Sequence, residues 1–169
     1  MKKIGLLGCG AIGTQIALAI DTKKINAELT HIYDSEEVKA LALASKLITK
    51  PVIVSNPHLL SSNNVDIVVE AASQDAVKNH ALSILQNRKD LLIMSVGALL
   101  DESVFDILID ACEEFKKKIY LPSGAIAGLD AIKSVKNELE SVCLVTTKNP
   151  KALTGAKFFE KNKIDIGSI

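Results

Sequence analysis

Three glycines stand close together in the run GCGAIG, at Gly8, Gly10 and Gly13, between a short apolar stretch (residues 4–7) and an amphipathic one. Glycines in this spacing suit anion binding. The first allows a tight turn, the second lets a diphosphate approach the backbone, and the third lets a helix pack closely on a strand. Gly10, Ala11, Ile12 and Gly13 would then open a helix, where free N–H groups and about half a positive charge favour an anion. The structural alternative is that the same glycines only turn a strand into a helix.

Asp34 adds a second chemical group. It ends the apolar run LTHIY (residues 29–33), about 20 residues beyond the glycines, where a carboxylate can accept hydrogen bonds from ribose hydroxyls. The run Asp34-Ser35-Glu36-Glu37 also reads as a helix entrance, and the two roles are compatible. A carboxylate here favours NAD over NADP. A ribose phosphate carries about −1.5 to −2 charge, and two unit charges ~4 Å apart interact by ~4 kcal/mol at an effective dielectric of ~20. Lys39 lies close enough in sequence to assist a phosphate, so NADP use stays open.

Small residues follow three later apolar runs: Ala71-Ala72-Ser73, Ser95-Val96-Gly97-Ala98, and Ser123-Gly124-Ala125. At the carboxyl ends of parallel strands such residues leave room for a ligand in the crevice. A single loop of this kind is only a turn; three after successive strands favour a site. Glu70 is a strand-end carboxylate whose simplest role is a hydrogen bond to a neighbouring loop. Cys9, beside the glycine turn, is either a small packing residue or a thiol activated by a helix N-terminus. His31, His58 and His80 read as packing or surface residues rather than general bases. Cys9, Cys112 and Cys143 have no CxxC spacing, so neither a disulfide framework nor a metal site is expected.

The elements that must position these groups follow from periodicity. Residues 4–7, 29–33, 52–54, 65–69, 91–94 and 119–121 read as strands apolar on both faces. Between them, Ile12, Ile16, Ala17 and Ile20 share one helical face, as do Val77, His80, Ala81, Ile84 and Leu85. Val104, Ile107, Leu108, Ala111, Cys112 and Phe115 form a third stripe. The expected fold is α/β, a Rossmann-type doubly wound parallel sheet.

Bulk properties exclude other classes. The 169 residues hold 20 Lys+Arg and 20 Asp+Glu. Zero net charge removes the electrostatic case for nucleic-acid binding. Lys116-Lys117-Lys118 is better read as a cationic helix end. No apolar run approaches a membrane span and no secretory signal is evident, so a cytoplasmic protein is expected.

The runs VEAASQDAV (residues 69–77), SVGAL (95–99), SGAIAGLDAI (123–132) and LVTTKNP (144–150) resemble the L-aspartate dehydrogenase family along nearly the whole chain. The resemblance implies oxidation of L-aspartate to iminoaspartate with NAD or NADP. That product hydrolyses to oxaloacetate and ammonia or feeds pyridine nucleotide biosynthesis. It also implies that Gly8–Gly13 hold the pyrophosphate and Asp34 the adenosine ribose. Ala71, Ala72 and Ser73, with Ser95, Val96, Gly97 and Ala98, would line the path to the nicotinamide, and Gly124 and Ala125 would meet it. It implies as well that residues 1–140 form the NAD(P)-binding domain and residues 141–169 the start of a truncated second α+β domain; in the intact family a strand over residues 142–147 leads into that substrate domain, whose remaining sheet partners are missing here. The family's catalytic histidine lies in an HEI-like segment, and a cofactor-contacting asparagine in one resembling NxNVAATL; neither segment occurs here. Two alternatives stand beside this reading: a non-catalytic NAD-binding module, or a related homoserine or semialdehyde dehydrogenase. Leu144, Phe158 and Phe159 would suit a homodimer contact.

Overall fold

Strands that are apolar on both faces need cover on both faces, and here they receive it. The structure, a computed structural model, describes residues 1–124, 128–145, 147, 149, 158–159 and 162–165. The chain divides into two units, Met1–Ile126 and Ala127–Ile169.

The first unit holds six strands: β1 (Lys2–Leu7), β2 (Ala27–Tyr33), β3 (Val52–Ile53), β4 (Ile67–Glu70), β5 (Asp90–Ile93) and β6 (Ile119–Tyr120). They pair in the order β3-β2-β1-β4-β5-β6, every ladder parallel. The doubly wound parallel arrangement expected from the sequence is the one observed. The winding reverses between β1 and β4, and this is the switch point at which such sheets open a crevice.

Side chains alternate across the sheet. Ile4, Leu6 and Val69 point into one core with Ala17 and Ile20 of α1 (Ala11–Asp21) and Ala40 and Leu43 of α2 (Glu37–Lys46). Leu7, Val68 and Ile93 point the other way. They meet Val77, Ala81 and Leu85 of α3 (Gln74–Gln86) and Leu108 and Ala111 of α4 (Glu102–Phe115). Leu6, Ile32, Leu85 and Ile93 are wholly buried, each contributing roughly 2 kcal/mol of hydrophobic stabilisation.

Polar ties fix the helices in place. The Asp21 carboxylate, closing α1, accepts the N–H groups of Ile48 (2.8 Å) and Thr49 (2.9 Å) and the Thr49 hydroxyl (2.6 Å). Those bonds, the hydroxyl's foremost, hold its pKa below the ordinary value. Helix α4 ends at Lys116, whose φ of +53 places it in the left-handed region. The lysine triplet thus stands at a helix end, as its charge suggested.

Two expectations are corrected. Val65 is buried in the core but lies outside β4, which begins at Ile67. Its amide turns back to the Ser62 carbonyl (3.1 Å) instead of joining a ladder. In the second unit, the only regular element among the described residues longer than a turn is α5 (Leu129–Ser134), entered from Gly128 at φ +78. The strand expected over residues 142–147 is absent from 142–145 and 147, with Thr146 outside the described residues. Val142, Leu144 and Val145 are exposed. A strand without a ladder partner leaves its amides to water and does not hold.

Helices α3 and α4 are joined by Lys78, whose ammonium lies 2.7 Å from Asp101. Hydrogen bonds from Lys78 and the Ser103 hydroxyl hold the Asp101 pKa down to about 2, against an ordinary 3.8. A lowered folded-state pKa gives stability that is complete above pH ~4 and lost as pH falls through about 2. Asp101→Asn should therefore melt below wild type at pH 6, with the gap narrowing steadily toward pH 2 in melts followed by circular dichroism. A gap independent of pH would reject this role.

Candidate functional site

The carboxyl ends of β1, β2 and β4 converge at the switch point, and the glycine run occupies it. Gly8 has φ +104, and a Cβ there would lie 2.7 Å from the Ala71 carbonyl. Gly13 sits so close to β1 that a Cβ would lie 2.0 Å from the Gly8 oxygen. Both positions are therefore dictated by packing: the first lets two strand-end loops touch, the second lets α1 start against the turn. Gly10 differs. Its φ is −73, and a Cβ there would meet nothing within 4 Å. Gly10 also caps α1 without any side-chain hydrogen bond, so the first amides of the helix face open space, with the positive end of its dipole.

Asp34 closes one side. Its Oδ2 accepts the Cys9 N–H at 2.8 Å and its Oδ1 accepts the Glu36 N–H at 2.9 Å. Asp34 does not itself cap α2, whose N-cap is Glu36 without a side-chain bond; its bond to the Glu36 amide shapes the turn just ahead of that helix, while the same carboxylate pins the glycine loop to β2. An ionised carboxylate has about four acceptor positions, so two backbone bonds leave room for ribose hydroxyls. Lys39 is already paired with Glu36 at 2.6 Å on the surface, and this bond raises its pKa.

Glu70 closes the other side. It is 1% exposed. Oε1 accepts the Ala72 N–H (2.7 Å) and the Ser95 hydroxyl (2.8 Å), and Oε2 accepts the Ser95 N–H (3.0 Å). One buried side chain thereby holds the loops after β4 and β5 together, which leaves it no part as a base. Sequence reasoning anticipated a bond to one neighbouring loop; the second loop becomes visible only once β4 and β5 pair.

A cavity of about 200 Å³ opens between these walls, lined by Gly8, Gly10, Asp34, Lys39, Ala72 and Ser73. Ser73 also caps α3, accepting the Ala76 N–H at 3.1 Å. Gly97 leaves space for Gln74, whose Nε2 would lie 2.5 Å from a Cβ. Val96 is half-buried beside it, whereas Ala98 is buried in the core. Gly124 is exposed, at φ +70, and Ala125 lies outside the described residues.

Cys9 is settled by its surroundings. It is 5% exposed, and burial, then the Asp34 charge, pushes its thiol up to about 12. It is a packing residue, and the activated-thiol alternative falls. His31 is half-buried, its Nδ1 3.0 Å from the Thr30 hydroxyl, and burial lowers its pKa. His58 is exposed. His80, read from sequence as a core or boundary residue, lines a second hollow beside Gly8 and Asp34. The signal was present in the spacing of residues 73, 76 and 80, which share one face of α3.

Comparison with known proteins places this geometry. The family described as homoserine dehydrogenase, NAD binding domain, matches residues 8–122. The chain is 64% identical over 169 residues to L-aspartate dehydrogenase of Nitrosopumilus maritimus, covering 100% of this chain and 62% of that protein. Aspartate dehydrogenase from Thermotoga maritima has a similar structure, with a TM-score of 0.63 at 25% identity over 98% of this chain and 70% of that one. Myo-inositol dehydrogenase from Lactobacillus casei, in complex with NAD(H) and myo-inositol, shares the fold at a TM-score of 0.69 and 18% identity, over 82% and 42% of the two chains. The chain spans about three-fifths of the length of the curated relatives it matches.

The clamp at Glu70 is open to a direct check. A hydrogen bond to a charged group contributes ~1.5–3 kcal/mol. Glu70→Gln keeps the shape but turns an amide NH₂ toward donors. It should cost about 2 kcal/mol in urea unfolding at pH 7, and an unchanged midpoint would show that the clamp is idle.

Proposed function

The chain belongs to the homoserine dehydrogenase NAD-binding domain family, and we propose that it is the coenzyme-binding part of an NAD-dependent L-aspartate dehydrogenase. The observation that carries the coenzyme reading is the contrast among the three glycines. Gly8 and Gly13 are required by the protein's own packing. Gly10 is not, and the space over it is open to a molecule from outside. A diphosphate fits the chemistry of that space: backbone amides, a helix N-terminus and no side chain in the way.

Each residue then has a task. The amides at the start of α1, over Gly10, Ala11 and Ile12, hold the diphosphate. Asp34 accepts the adenosine ribose hydroxyls with the acceptor positions that Cys9 and Glu36 leave free. Ala71, Ala72 and Ser73 border the path toward the nicotinamide, with Ser95 fixed behind them by Glu70. By resemblance to the family, Val96, Gly97, Gly124 and Ala125 are assigned to the continuation of that path. Bound NAD supplies the hydride acceptor; the chain supplies position and orientation.

Asp34 and Glu36 face the cavity with two carboxylates, while Lys39 is occupied by Glu36. This supports NAD over NADP. The substrate proposal, L-aspartate oxidised to iminoaspartate, rests on the relatives' names and on the residues shared with them. No described helix is long and apolar enough to cross a membrane. A cytoplasmic setting suits the free Cys9, Cys112 and Cys143. Self-association through exposed Leu144 and Phe158 belongs to the same proposal.

The test separates folding from binding. Gly10→Ala should melt within about 2 °C of wild type, since nothing within 4 Å opposes the methyl group. Its affinity for NAD in titration calorimetry should fall at least about tenfold, equivalent to 1.4 kcal/mol. Wild type should prefer NAD to NADP. Undiminished binding by Gly10→Ala would remove the diphosphate from this cavity, and equal affinities for the two coenzymes would remove the selectivity assigned to Asp34.

A further inference from the structure

Helix α2 buries Ala40 and Leu43 against the sheet. Its other face carries Val38, Leu41, Ala42 and Ser45, all exposed and spaced as one helical stripe. A helix that only meets water carries polar residues on such a face. Val38 is 76% exposed, and Ile48, just past the helix, is 84% exposed. The loop bearing Ile48 is tied down, because the Asp21 carboxylate accepts its N–H at 2.8 Å. The neighbouring sheet edge is a poor dock: β3 has two residues and follows Pro51, which has no N–H to offer.

The two ends of this stripe differ in sign. Glu37 stands in the first turn of α2 and Lys46 in the last. Neither has an ion-pair partner among the described residues. Lys50 adds positive charge at the far end, its ammonium donating to the Ala44 and Leu47 carbonyls at 3.0 and 2.7 Å. Such a helix complements a reversed copy of itself. About a two-fold axis between residues 41 and 42, the acidic end of each helix lies beside the basic end of the other. The same register sets Leu41 against its own counterpart and Val38 over the second copy's Ser45, a large side chain over a small one. Self-complementarity of this kind is what a two-fold contact requires. A parallel pair would instead bring like charges together.

We propose that the outer face of α2 is a docking surface for a second copy of this chain, packed antiparallel on the first. The 10 residues of α2 span about 15 Å, too little to bury the ~800 Å² per partner of a stable interface. The dimer is therefore weak and reversible. The proposal is independent of the coenzyme reading, and its surface is separate from the one assigned to Leu144 and Phe158.

The test is sedimentation of the full chain without coenzyme, at rising protein concentration. Wild type should self-associate, more strongly at about 10 mM salt than at about 150 mM, where the Debye length falls from ~30 to ~8 Å. Leu41→Lys and Leu41→Glu should each fold, as judged by circular dichroism, yet dimerise at least about tenfold more weakly. Because residue 41 meets its own counterpart, an equimolar mixture of the two variants should associate again. Leu144→Ser with Phe158→Ser should leave this dimer in place. A wild type that stays monomeric overturns the proposal. So do a Leu41→Lys protein that dimerises as wild type does, a mixture that associates no better than its components, or a dimer abolished only by the changes at 144 and 158. None of these outcomes touches the coenzyme reading, which the calorimetry of Gly10→Ala decides.

Discussion

The whole arrangement hangs on a contact too close for any side chain: the approach of Gly13 to the Gly8 carbonyl, where an added Cβ would sit 2.0 Å from oxygen. That contact sets α1 hard against the end of β1. A second close approach, between Gly8 and the Ala71–Ala72 backbone, sets the β4 loop against the same turn. The positive end of α1 is thereby aimed at the place where the sheet's winding reverses. Bulkier residues at either glycine would push the helix off the strand and carry its free amides away from the crevice.

Two carboxylates finish what the glycines begin. Asp34 grips the glycine loop through the Cys9 amide, and Glu70 grips the loops after β4 and β5. Both act on backbone N–H groups, so they fix loop shape directly. Their weight differs from that of the surface pairs. An exposed ion pair such as Lys39–Glu36 contributes ~0.2–1 kcal/mol, less than one hydrogen bond to a buried carboxylate. The rigidity of the crevice thus comes from within the sheet's end, and the charged rim adjusts which ligand is welcome.

Much of this was legible in the residues. Doubly apolar strands separated by helical stripes require a parallel sheet with two covered faces, and the spacing from Gly8 to Asp34 places both at neighbouring strand ends. What stayed hidden depended on partners distant in sequence. Glu70 could be placed at a strand end, but its hold on Ser95 needs the β4–β5 pairing. His80 shares a stripe with Val77, Ala81 and Ile84, and periodicity alone does not say that the stripe's edge borders a cavity. Val65 has the composition of a strand residue, yet its amide finds Ser62 first. The expected strand over residues 142–147 failed for the opposite reason: its sequence suits a ladder, and no described neighbour offers one.

The uniform direction of the sheet carries a consequence for how the molecule is made. Among the described residues it contains no hairpin; Lys2 pairs with Ala27, Ile4 with Ile67, Ile67 with Asp90 and Leu91 with Ile119. Each ladder is rewarded only after a long loop has closed, and such high contact order slows folding. During synthesis β1 emerges first but waits for β4 before its second edge is satisfied. The newborn chain thus carries a bare apolar ribbon until β4 has been made, and the kinetics of loop closure, more than the final contacts, govern how long that ribbon is open to aggregation.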